Sequence, residues 1–445
     1  MISKETFQTL TAKYVTLGCK LNFAETSTIA AELERRGIRR VNEDDVPDII
    51  VVNTCSVTAV ADKKGRQTIR SLARKWPDAV IVVTGCYAQL KPLEVASIEG
   101  VHIVAGNDHK GELPQMLSEW ISDRKDRMSV TPAKDIHKFV PSCSRGDRTR
   151  WMLKVQDGCN YYCSYCTIPM ARGRSRSGSV EVLVGQAHEA VAAGAKEIVL
   201  TGVNIGDYGW GKKEKLIDLL KVLDEVEGVE RDRISSIEPD LLTDEIIDFT
   251  ARSNRFMPHF HIPLQCGDDE MLKLMRRHYD RALFADRVSH IKSAMPDAFI
   301  GVDLIVGMRG ETEARYESSK EFVSSLDITR LHVFPYSERP GTKALDIFPV
   351  VSPEEQRHRT REMIAISDLR HKAFAQKSEG ELRRVLLEQP TSCGLGMEGY
   401  TDNYIRVEVE GANQSMINEI VTVRLGKTKW VEDGPVVNAV IENEF

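Results

Sequence analysis

The sequence predicts a multidomain α/β protein that ends in a small all-β barrel. Three observations lead to this fold class. Apolar runs alternate with helical patterns over residues 1–135, six further units of this kind follow over residues 145–378, and residues 379–445 alternate polar and apolar positions. A chain of 445 residues is long enough for two to three domains of about 150 residues each.

The first region predicts an N-terminal α/β domain with a parallel sheet. The segments "KYVTLG", "DIIVVNT" and "AVIVVTG" are typical of buried strands, and helical patterns separate them. All strands of a parallel sheet end at the same edge, where ligands bind. A cysteine follows each run, at Cys19, Cys55 and Cys86. We therefore expect these three residues, the strand-end thiol set, to meet at that edge.

Residues 123–150 are polar and broken by Pro132 and Pro141, which predicts a linker. Six strand candidates follow: "LKVQDG", "EIVLTG", "RISSIEP", "HFHIPLQ", "FIGVDLIVG" and "LHVFPY". Six β/α units predict an incomplete, TIM-like (β/α)6 barrel with its site at the carboxyl ends of the strands. A long helix then begins after Ser352, with Pro353 at its first position.

The last region predicts a small, OB-like all-β barrel. Its segments "RRVLLE", "YIRVEVE" and "EIVTVRLGKT" have a period of two and are punctuated by glycines. Its size is typical of oligonucleotide-binding modules, although a purely structural appendage would show the same pattern. From Ser378 to Phe445 the chain has six basic and twelve acidic residues. Because this region is acidic overall, it could bind RNA only through a local part of its surface.

Composition limits the classes of function. The net charge of −6 neither indicates nor excludes a nucleic-acid partner. No apolar run reaches the ~18 residues of a membrane helix, and the N-terminus lacks the apolar core of a signal peptide. We expect a cytoplasmic protein. Because the cytosol is reducing, nine cysteines at patterned spacings indicate metal or redox chemistry rather than disulfides.

A second set of cysteines lies in "DGCNYYCSYCTIP", just after the first strand of the predicted barrel. Cys159, Cys163 and Cys166, the loop thiol set, have the spacing C-x3-C-x2-C. A structural zinc site needs four ligands, usually in two pairs, and Cys143 is the only nearby candidate for a fourth. Three thiolates suit a cubane iron–sulfur cluster, because they leave its fourth iron open. The spacing favours a cluster over zinc.

This spacing on the first strand of a barrel resembles that of the radical S-adenosylmethionine enzymes. With three upstream cysteines and a terminal β module, the chain resembles the methylthiotransferases of that superfamily over essentially its whole length. The similar segments are "TLGCKLNFAET", "VVNTCSVTAVADKKGRQTIR", "VTGCYAQL", "HIPLQCGDDEMLKLMRRHY" and "PYSERPGT". The tail "GELRRVLLE…GYTDNYIRVEV" resembles the TRAM domain of that family.

The segments "GCKLN" and "NTCSVTAVADKKGRQ" resemble the branch that acts on threonylcarbamoyladenosine in tRNA. After the first cysteine, the isopentenyladenosine branch usually has Gln and the ribosomal-protein branch usually has Pro, whereas this chain has Lys20. Two positions depart from the family pattern. Cys266 stands where Ser is frequent, and Met308-Arg309 replaces the usual Phe-Pro.

The resemblance implies an enzyme that adds a methylthio group to carbon 2 of N6-threonylcarbamoyladenosine at tRNA position 37. It implies two [4Fe-4S] clusters: one on the loop thiol set, which binds and cleaves S-adenosyl-L-methionine, and an auxiliary one on the strand-end thiol set, which presents sulfur. The implied partners are the tRNA anticodon loop, an electron donor such as flavodoxin or ferredoxin, and a sulfur source.

Five residues at the predicted strand ends are candidates to contact S-adenosylmethionine: Thr201, Gly202, Ser236, Glu238 and Gln265. Ordinary capping at strand ends would explain them equally well. The candidates for RNA contact are basic or aromatic: Lys63, Lys64, Arg66, Arg70, Arg74, Arg172, Arg174, Arg176, Tyr404 and Arg406. A solvated charged face is the alternative explanation for the basic residues.

Cys143, Cys266 and Cys393 have no partner spacing, so we interpret them as buried or incidental thiols. His259 and His261 alternate on one strand and suit packing or substrate contacts. The nearest functional alternatives are methylthiotransferases of isopentenyladenosine tRNA or of a ribosomal protein. An alternative of another class is a non-catalytic iron–sulfur sensor that binds RNA.

Overall fold

The N-terminal part is a six-stranded parallel sheet in the order β2-β1-β3-β4-β5-β6. A computed structural model describes residues 9–42, 45–146 and 148–442. The strands are β1 (Thr11–Thr16), β2 (Arg39–Arg40), β3 (Ile49–Thr54), β4 (Val80–Gly85), β5 (Val101–Ala105) and β6 (Arg127–Ser129). The helices are α1 (Lys20–Arg35), α2 (Ala59–Lys75), α3 (Cys86–Leu90), α4 (Pro92–Ala96) and α5 (Leu113–Asp123).

Every residue of β3 and β4 is buried, because helices cover both faces of this sheet. One core contains Ile29 and Leu33 of α1 with Leu117 of α5, and the opposite core contains Ile69 of α2. The continuous apolar runs in the sequence therefore mark its central strands, and the predicted parallel sheet is confirmed.

The second part contains two further sheets, in the orders β12-β11-β8-β7 and β13-β14-β15, and a short antiparallel pair, β9-β10. Its first strands are β7 (Ser142–Cys143), β8 (Arg150–Lys154), β9 (Gln156–Asp157), β10 (Arg176–Ser177) and β11 (Glu197–Thr201). The others are β12 (Arg231–Ile234), β13 (His259–Gln265), β14 (Phe299–Val306) and β15 (Arg330–Pro335). Bridges between Asp232 and Phe256 and between Ser236 and His261 join the two sheets.

Helices separate these strands, as the pattern of six β/α units predicts. They are α6 (Ile168–Arg172), α7 (Val180–Ala192), α8 (Leu216–Asp224), α9 (Asp244–Arg252), α10 (Asp269–Leu274), α11 (Arg281–Ala294), α12 (Glu313–Ser325) and α13 (Pro353–Lys377). The Ser352 hydroxyl accepts a hydrogen bond from the Glu355 amide at 3.1 Å, so the predicted start of the last helix is confirmed.

Helix α1 of the N-terminal part packs on the second part. Successive side chains of a strand point to opposite faces. Trp151 and Leu153 of β8 join the core beneath the helices, whereas Met152 of β8 and Val199 of β11 pack against Ala24 of α1. The face of this sheet that its own helices leave free is thus partly covered by the N-terminal part.

The predicted linker is wrong in two places. Strand β6 pairs with β5, and β7 pairs with β8, so residues 127–129 and 142–143 belong to the two sheets. Both strands are only two or three residues long and lie at sheet edges. They bury too little apolar surface to produce a strand pattern in the sequence.

The C-terminal part is a closed barrel in the order β16-β17-β18-β20-β19. Its strands are β16 (Leu382–Pro390), β17 (Gly396–Thr401), β18 (Arg406–Glu410), β19 (Ile420–Val431) and β20 (Gly434–Ile441). Val385, Val407 and Val437 lie in its core, where Ala375 of α13 also packs. The predicted small all-β barrel is confirmed. In the described ranges, no helix is both long and apolar enough to cross a membrane.

Candidate functional site

The strand-end thiol set lies at one edge of the N-terminal sheet, as predicted. Strands β1, β3 and β4 are neighbours, and Thr54 is paired with Gly85, so Cys55 and Cys86 leave adjacent strands side by side. Cys19 precedes the first residue of α1. Gly18 has a φ of +110°, and a Cβ there would lie 2.6 Å from the Cβ of Cys55. Only glycine allows this close approach of the two segments.

These thiols share one electrostatic environment. Burial, together with the neighbouring Cys86 and Cys19, raises the pKa of Cys55 to about 11. Burial also raises the pKa of Cys86, while Arg172 and Lys110 oppose that rise. Protonated thiols do not ligate metals, so the set requires strong positive charge to become a thiolate site. A multi-iron cluster supplies such charge, and the donor set fits one.

The loop thiol set lies between β9 and α6. The Tyr161 amide donates to the Cys159 sulfur at 3.4 Å, and the Ile168 amide donates to the Cys166 sulfur at 3.4 Å. Burial, together with the other thiols of the set, raises the pKa of both Cys159 and Cys166 to about 12. Mutual repulsion of three close thiolates is relieved when they bind a common cationic group, so this set also fits a cluster.

Arg277 connects the loop thiol set to a predicted cofactor contact. Its Nη1 donates to the Cys163 sulfur at 3.0 Å, and its Nη2 is ion-paired with Glu238. Glu238 therefore holds the arginine that touches a cluster-candidate thiol. The side chain of Arg277 is also almost fully buried, so Glu238 neutralises a charge that solvent cannot reach.

The two thiol sets face each other across the contact between the N-terminal and second parts. Cys86 contributes to the raised pKa of Cys166, after burial and Cys163. The Thr167 hydroxyl donates to the Ser56 carbonyl at 3.5 Å, and helix α3 packs on α6. The residues that follow Cys55 and Cys166 are thus in contact.

A buried ion network holds this contact together. Glu25 of α1 is paired with Lys110, with Lys154 at 2.8 Å and with Arg172 at 3.0 Å. Asp157 binds Lys154 at 2.7 Å, Arg172 at 3.0 Å and Arg176 at 2.9 Å. Four cations meet two carboxylates, which leaves two positive charges in surplus. This surplus lies beside Cys86 and suits an anionic thiolate cluster.

The network corrects two predicted RNA contacts. Arg172 is 1% exposed, and its two terminal nitrogens donate to Glu25, Asp157 and Asn22. The Arg176 side chain is 9% exposed and bound to Asp157. Both predictions are wrong, because a sequence run of alternating arginines does not show which of them enter the interior. Arg174, between them, is exposed.

The remaining RNA candidates lie on two surfaces. Helix α2 exposes Lys63, Lys64, Arg70 and Arg74, whereas its Arg66 is paired with Glu94 at 2.9 Å. In the C-terminal barrel, the Tyr404 ring packs 4.4 Å from His259, and its hydroxyl accepts from Arg150 at 2.7 Å. Arg406 is paired with Glu398 at 2.9 Å. The Tyr404 ring is therefore engaged within the protein and does not form an open stacking platform.

The other cofactor candidates lie at strand ends, as predicted. Thr201 is buried at the end of β11, and a Cβ at Gly202 would lie 3.0 Å from the Gln156 carbonyl oxygen. Ser236 follows β12, and Gln265 ends β13 with a φ of +64° at a bulge. These residues surround the carboxyl edge on which the loop thiol set lies.

The unassigned cysteines stay outside both sets. Cys143 and Cys266 are buried, and Cys393 is exposed in the C-terminal barrel. In the described ranges, no three Cys, His, Asp or Glu side chains converge as the ligands of a single metal ion do. Thiolates around a cubane cluster stand farther apart, since each binds a different iron.

Sequence reasoning missed two arginines inside the family-like segments. Arg277 lies in "LMRRHY" and Arg339 in "PYSERPGT". Arg339 donates to the Ser56 hydroxyl and to the Asp62 carboxylate, both at 2.9 Å, and thereby ties the second part to the segment after Cys55. The two residues that replace the usual Phe-Pro both have partners nearby. Met308 is buried in the core, and Arg309 pairs with Glu338 at 2.7 Å.

A cavity of about 1080 Å³ lies where the three parts of the chain meet. Its walls include Lys20 of α1, Arg150 and His261 of the second part, and Tyr404 and Arg406 of the C-terminal barrel. The Lys20 side chain is exposed to the solvent in the cavity. Because the cavity walls surround it, desolvation lowers the pKa of its ammonium group. The cavity therefore begins one residue from Cys19.

Two family models match the chain. The family described as "Uncharacterized protein family UPF0004" matches residues 11–106, which contain the strand-end thiol set. The radical SAM superfamily matches residues 153–323, which contain the loop thiol set.

The chain is similar to curated proteins over nearly its whole length. It is 40% identical to the threonylcarbamoyladenosine tRNA methylthiotransferase MtaB of Bacillus subtilis, with 98% of each chain covered. It is 35% identical to the protein of that name from Thermotoga maritima, over 93% of this chain and 94% of the relative. It is 30% identical to the tRNA-2-methylthio-N(6)-dimethylallyladenosine synthase of Syntrophomonas wolfei, over 94% and 95%.

Among solved structures, the radical S-adenosylmethionine methyltransferase TsrM from Kitasatospora setae has a similar fold. Its complex with cobalamin and a [4Fe-4S] cluster gives a TM-score of 0.56 at 15% identity, over 75% of this chain and 73% of that one. Its complex with tryptophan and a SAM analog gives 0.54 at 16% identity, over 73% of each chain.

Proposed function

The chain belongs to the radical S-adenosylmethionine methylthiotransferase family, and from this premise we propose that it adds a methylthio group to carbon 2 of N6-threonylcarbamoyladenosine at tRNA position 37. The observation that carries the proposal is the pair of three-thiol sets that face each other across one contact, with Cys86 in electrostatic range of Cys166. A transfer of sulfur to a carbon activated by a radical requires two such centres in one space.

We assign one [4Fe-4S] cluster to each set. The loop thiol set would hold the cluster that binds S-adenosyl-L-methionine, and the strand-end thiol set would hold the auxiliary cluster. When bound, these groups supply the radical chemistry and the sulfur. Three thiolates per set leave one iron free for a ligand from outside the protein, and a fourth protein thiolate would block it.

The residues of the chain orient these groups and balance their charge. Arg277 donates to Cys163, and Glu238 holds Arg277 in place. Arg172 and Lys110 supply positive charge beside Cys86, while Glu25 fixes both cations. We propose that Thr201, Gly202, Ser236 and Gln265 line the place of S-adenosylmethionine, because they end strands at the same rim.

The domain division proposed for this chemistry follows the three parts. Residues 1–135 would form the sulfur-delivering domain, residues 145–378 an incomplete TIM-like radical SAM barrel, and residues 379–445 a TRAM domain. For tRNA, the exposed face of α2 with Lys63, Arg70 and Arg74 offers phosphate contacts. The reaction also needs an electron donor such as flavodoxin or ferredoxin and a sulfur source, and tRNA as substrate suits a cytoplasmic enzyme.

The proposed function is tested by mass analysis of tRNA nucleosides from a deletion strain. We expect 2-methylthio-N6-threonylcarbamoyladenosine to disappear and to return when the wild-type gene is restored. Loss of the 2-methylthio derivative of isopentenyladenosine instead would assign the substrate of the dimethylallyl relatives. Unchanged tRNA would contradict the proposal and direct attention to a ribosomal protein substrate.

A non-catalytic iron–sulfur sensor would bind RNA without using S-adenosylmethionine. The reconstituted, reduced protein should release 5′-deoxyadenosine from S-adenosylmethionine if the proposal is right. A sensor should release none, although it could contain the same amount of iron.

A further inference from the structure

Five Lys and Arg side chains line the cavity at the meeting of the three parts: Lys20, Arg148, Arg150, Arg330 and Arg406. Two of them, Arg150 and Arg406, are paired with carboxylates. Arg150 bonds to the Tyr404 hydroxyl at 2.7 Å and to Glu388 at 2.6 Å. Arg406 pairs with Glu398 at 2.9 Å. Arg150 thus ties the second part to the C-terminal barrel, whereas the Arg406–Glu398 pair lies within that barrel. Both arginines already have a partner for their charge.

Lys20 differs from these two arginines, and of the three cavity cations without an ion pair among the described residues, Lys20, Arg148 and Arg330, it is the one next to a cluster-candidate cysteine. Among the residues that the structure describes, none forms an ion pair or hydrogen bond with its ammonium group. Tyr404 and Glu197 act on it electrostatically, but Arg150 donates to the Tyr404 hydroxyl at 2.7 Å and Arg233 binds Glu197 at 2.8 Å. Lys20 thus brings into the cavity a cation whose counter-charge must come from outside the chain.

The wall near Lys20 is polar and aromatic. The His261 Nε2 lies 2.8 Å from the Asp303 carboxylate, and the His261 ring stacks on His332 at 5.1 Å. Lys20 is within electrostatic range of His332. Flat rings beside a cation suit a planar, anionic ligand better than an aliphatic one.

We infer that Lys20 binds the carboxylate of the threonylcarbamoyl group and thereby selects this modified adenosine over one with an uncharged N6 substituent. This inference rests on the proposed function, since it concerns the substrate of the same site. It makes Lys20 a specificity-determining residue rather than part of the cluster machinery.

The position of Lys20 agrees with the geometry of adenine. Carbon 2 and the N6 amino group both flank N1, so they lie on the same edge of the base. A group that holds an N6 substituent turned toward N1 therefore lies on the side from which sulfur reaches carbon 2. Lys20 directly follows Cys19 of the strand-end thiol set and lines the cavity.

Selectivity follows from the cost of leaving Lys20 unpaired. A dimethylallyl group would fill the space without offering an acceptor, and the ammonium would lose solvent without compensation. A carboxylate replaces that solvent with a charge-assisted hydrogen bond. The same residue thus favours one substrate and disfavours the other.

The test uses the reconstituted holoenzyme and two synthetic anticodon stem-loops. One carries N6-threonylcarbamoyladenosine, and the other carries its neutral threoninamide analogue. We expect Lys20→Met to lower kcat/KM for the carboxylate substrate by about 10- to 100-fold and to leave that for the amide almost unchanged. Lys20→Arg should retain most of the discrimination. Lys125→Met, which removes an exposed lysine of the N-terminal part, should behave as wild type.

Because Lys20 adjoins a cluster-candidate cysteine, a second readout is independent of the cluster. The ratio of the Kd values of the two stem-loops, measured with the apoproteins, should fall toward one in Lys20→Met. An unchanged ratio, or an equal loss of kcat/KM on both substrates, would overturn the inference while the proposed function stands. If the wild-type holoenzyme modifies neither stem-loop, the proposed function and the inference both fall.

Discussion

The two thiol sets perform related tasks with different architectures. The loop thiol set comes from eight consecutive residues, Cys159 to Cys166, so one segment of chain creates it. The strand-end thiol set comes from three strands, and its members meet only when β1, β3 and β4 have paired. The first set is therefore local and the second depends on tertiary structure, which means that damage to either should have distinct consequences.

The largest effect is expected from removing the loop thiol set. Replacing Cys159, Cys163 and Cys166 by Ala should abolish both cleavage of S-adenosylmethionine and product formation, because the radical chemistry starts there. Iron should fall from about eight to about four atoms per chain. Iron and sulfide quantification with an assay for 5′-deoxyadenosine checks this. A variant that still cleaved the cofactor would show that the two sets are not specialised.

Replacing Cys19, Cys55 and Cys86 by Ala should stop sulfur insertion and leave part of the cofactor cleavage. The reason is spatial, since the loop thiol set has its own three ligands and its own arginine, Arg277. 5′-Deoxyadenosine release and methylthiolated tRNA are measured on the same sample. Methylthiolated tRNA from a soluble triple variant would contradict sulfur delivery by this set, and an aggregated or protease-sensitive variant would indicate a folding role instead.

A third test acts on the network beside the strand-end thiol set. Arg172→Met leaves Glu25 and Asp157 short of a buried partner and should lower the free energy of unfolding by about 3–5 kcal/mol. Arg174→Met provides a matched control, because Arg174 is exposed two residues away and should change stability by less than about 0.5 kcal/mol. Denaturant unfolding of the two apoproteins measures the difference. Equal stabilities would mean that the network is dispensable.

The smallest effect concerns a residue of neither set. Burial, with His261, lowers the pKa of His332 from 6.5 to about 4. Between these values the unfolded chain binds more protons than the folded one, so stability falls as the pH falls from 6.5 toward 4. His332→Gln should therefore reduce the loss of stability between about pH 7 and pH 5 by on the order of 1 kcal/mol. Thermal unfolding of the two apoproteins measures this, and an identical pH dependence of Tm in the wild type and in His332→Gln would contradict the prediction.

Much of the fold was predictable from the sequence, because strands that are buried on both faces require continuous runs of apolar residues. Strands β3, β4 and β13 stand where the sequence places them, and strand polarity alone brings Cys19, Cys55 and Cys86 to one edge. The short edge strands β6 and β7 were not predictable, since few of their residues enter a core.

The charged part of the site was less predictable. Arg172 and Arg174 look alike in sequence, but Arg172 is buried because it pairs with Asp157 and with Glu25, which is 147 residues away along the chain. Arg277 and Arg339 lie within the quoted segments, but their roles depend on Glu238, Cys163 and Asp62, which are remote along the chain. Pairing between distant residues leaves no local periodic signal.

The Glu25 network also has a consequence for the order of biosynthesis. Glu25 leaves the ribosome 85 residues before Lys110 and 147 residues before Arg172. At about 5–20 residues per second, the last of these cations arrives some seconds later. Until then the carboxylate has only part of its counter-charge, and α1 lacks the sheet face against which Ala24 packs. We therefore expect α1 of a nascent chain stalled before residue 172 to be cleaved by protease where the completed protein is protected.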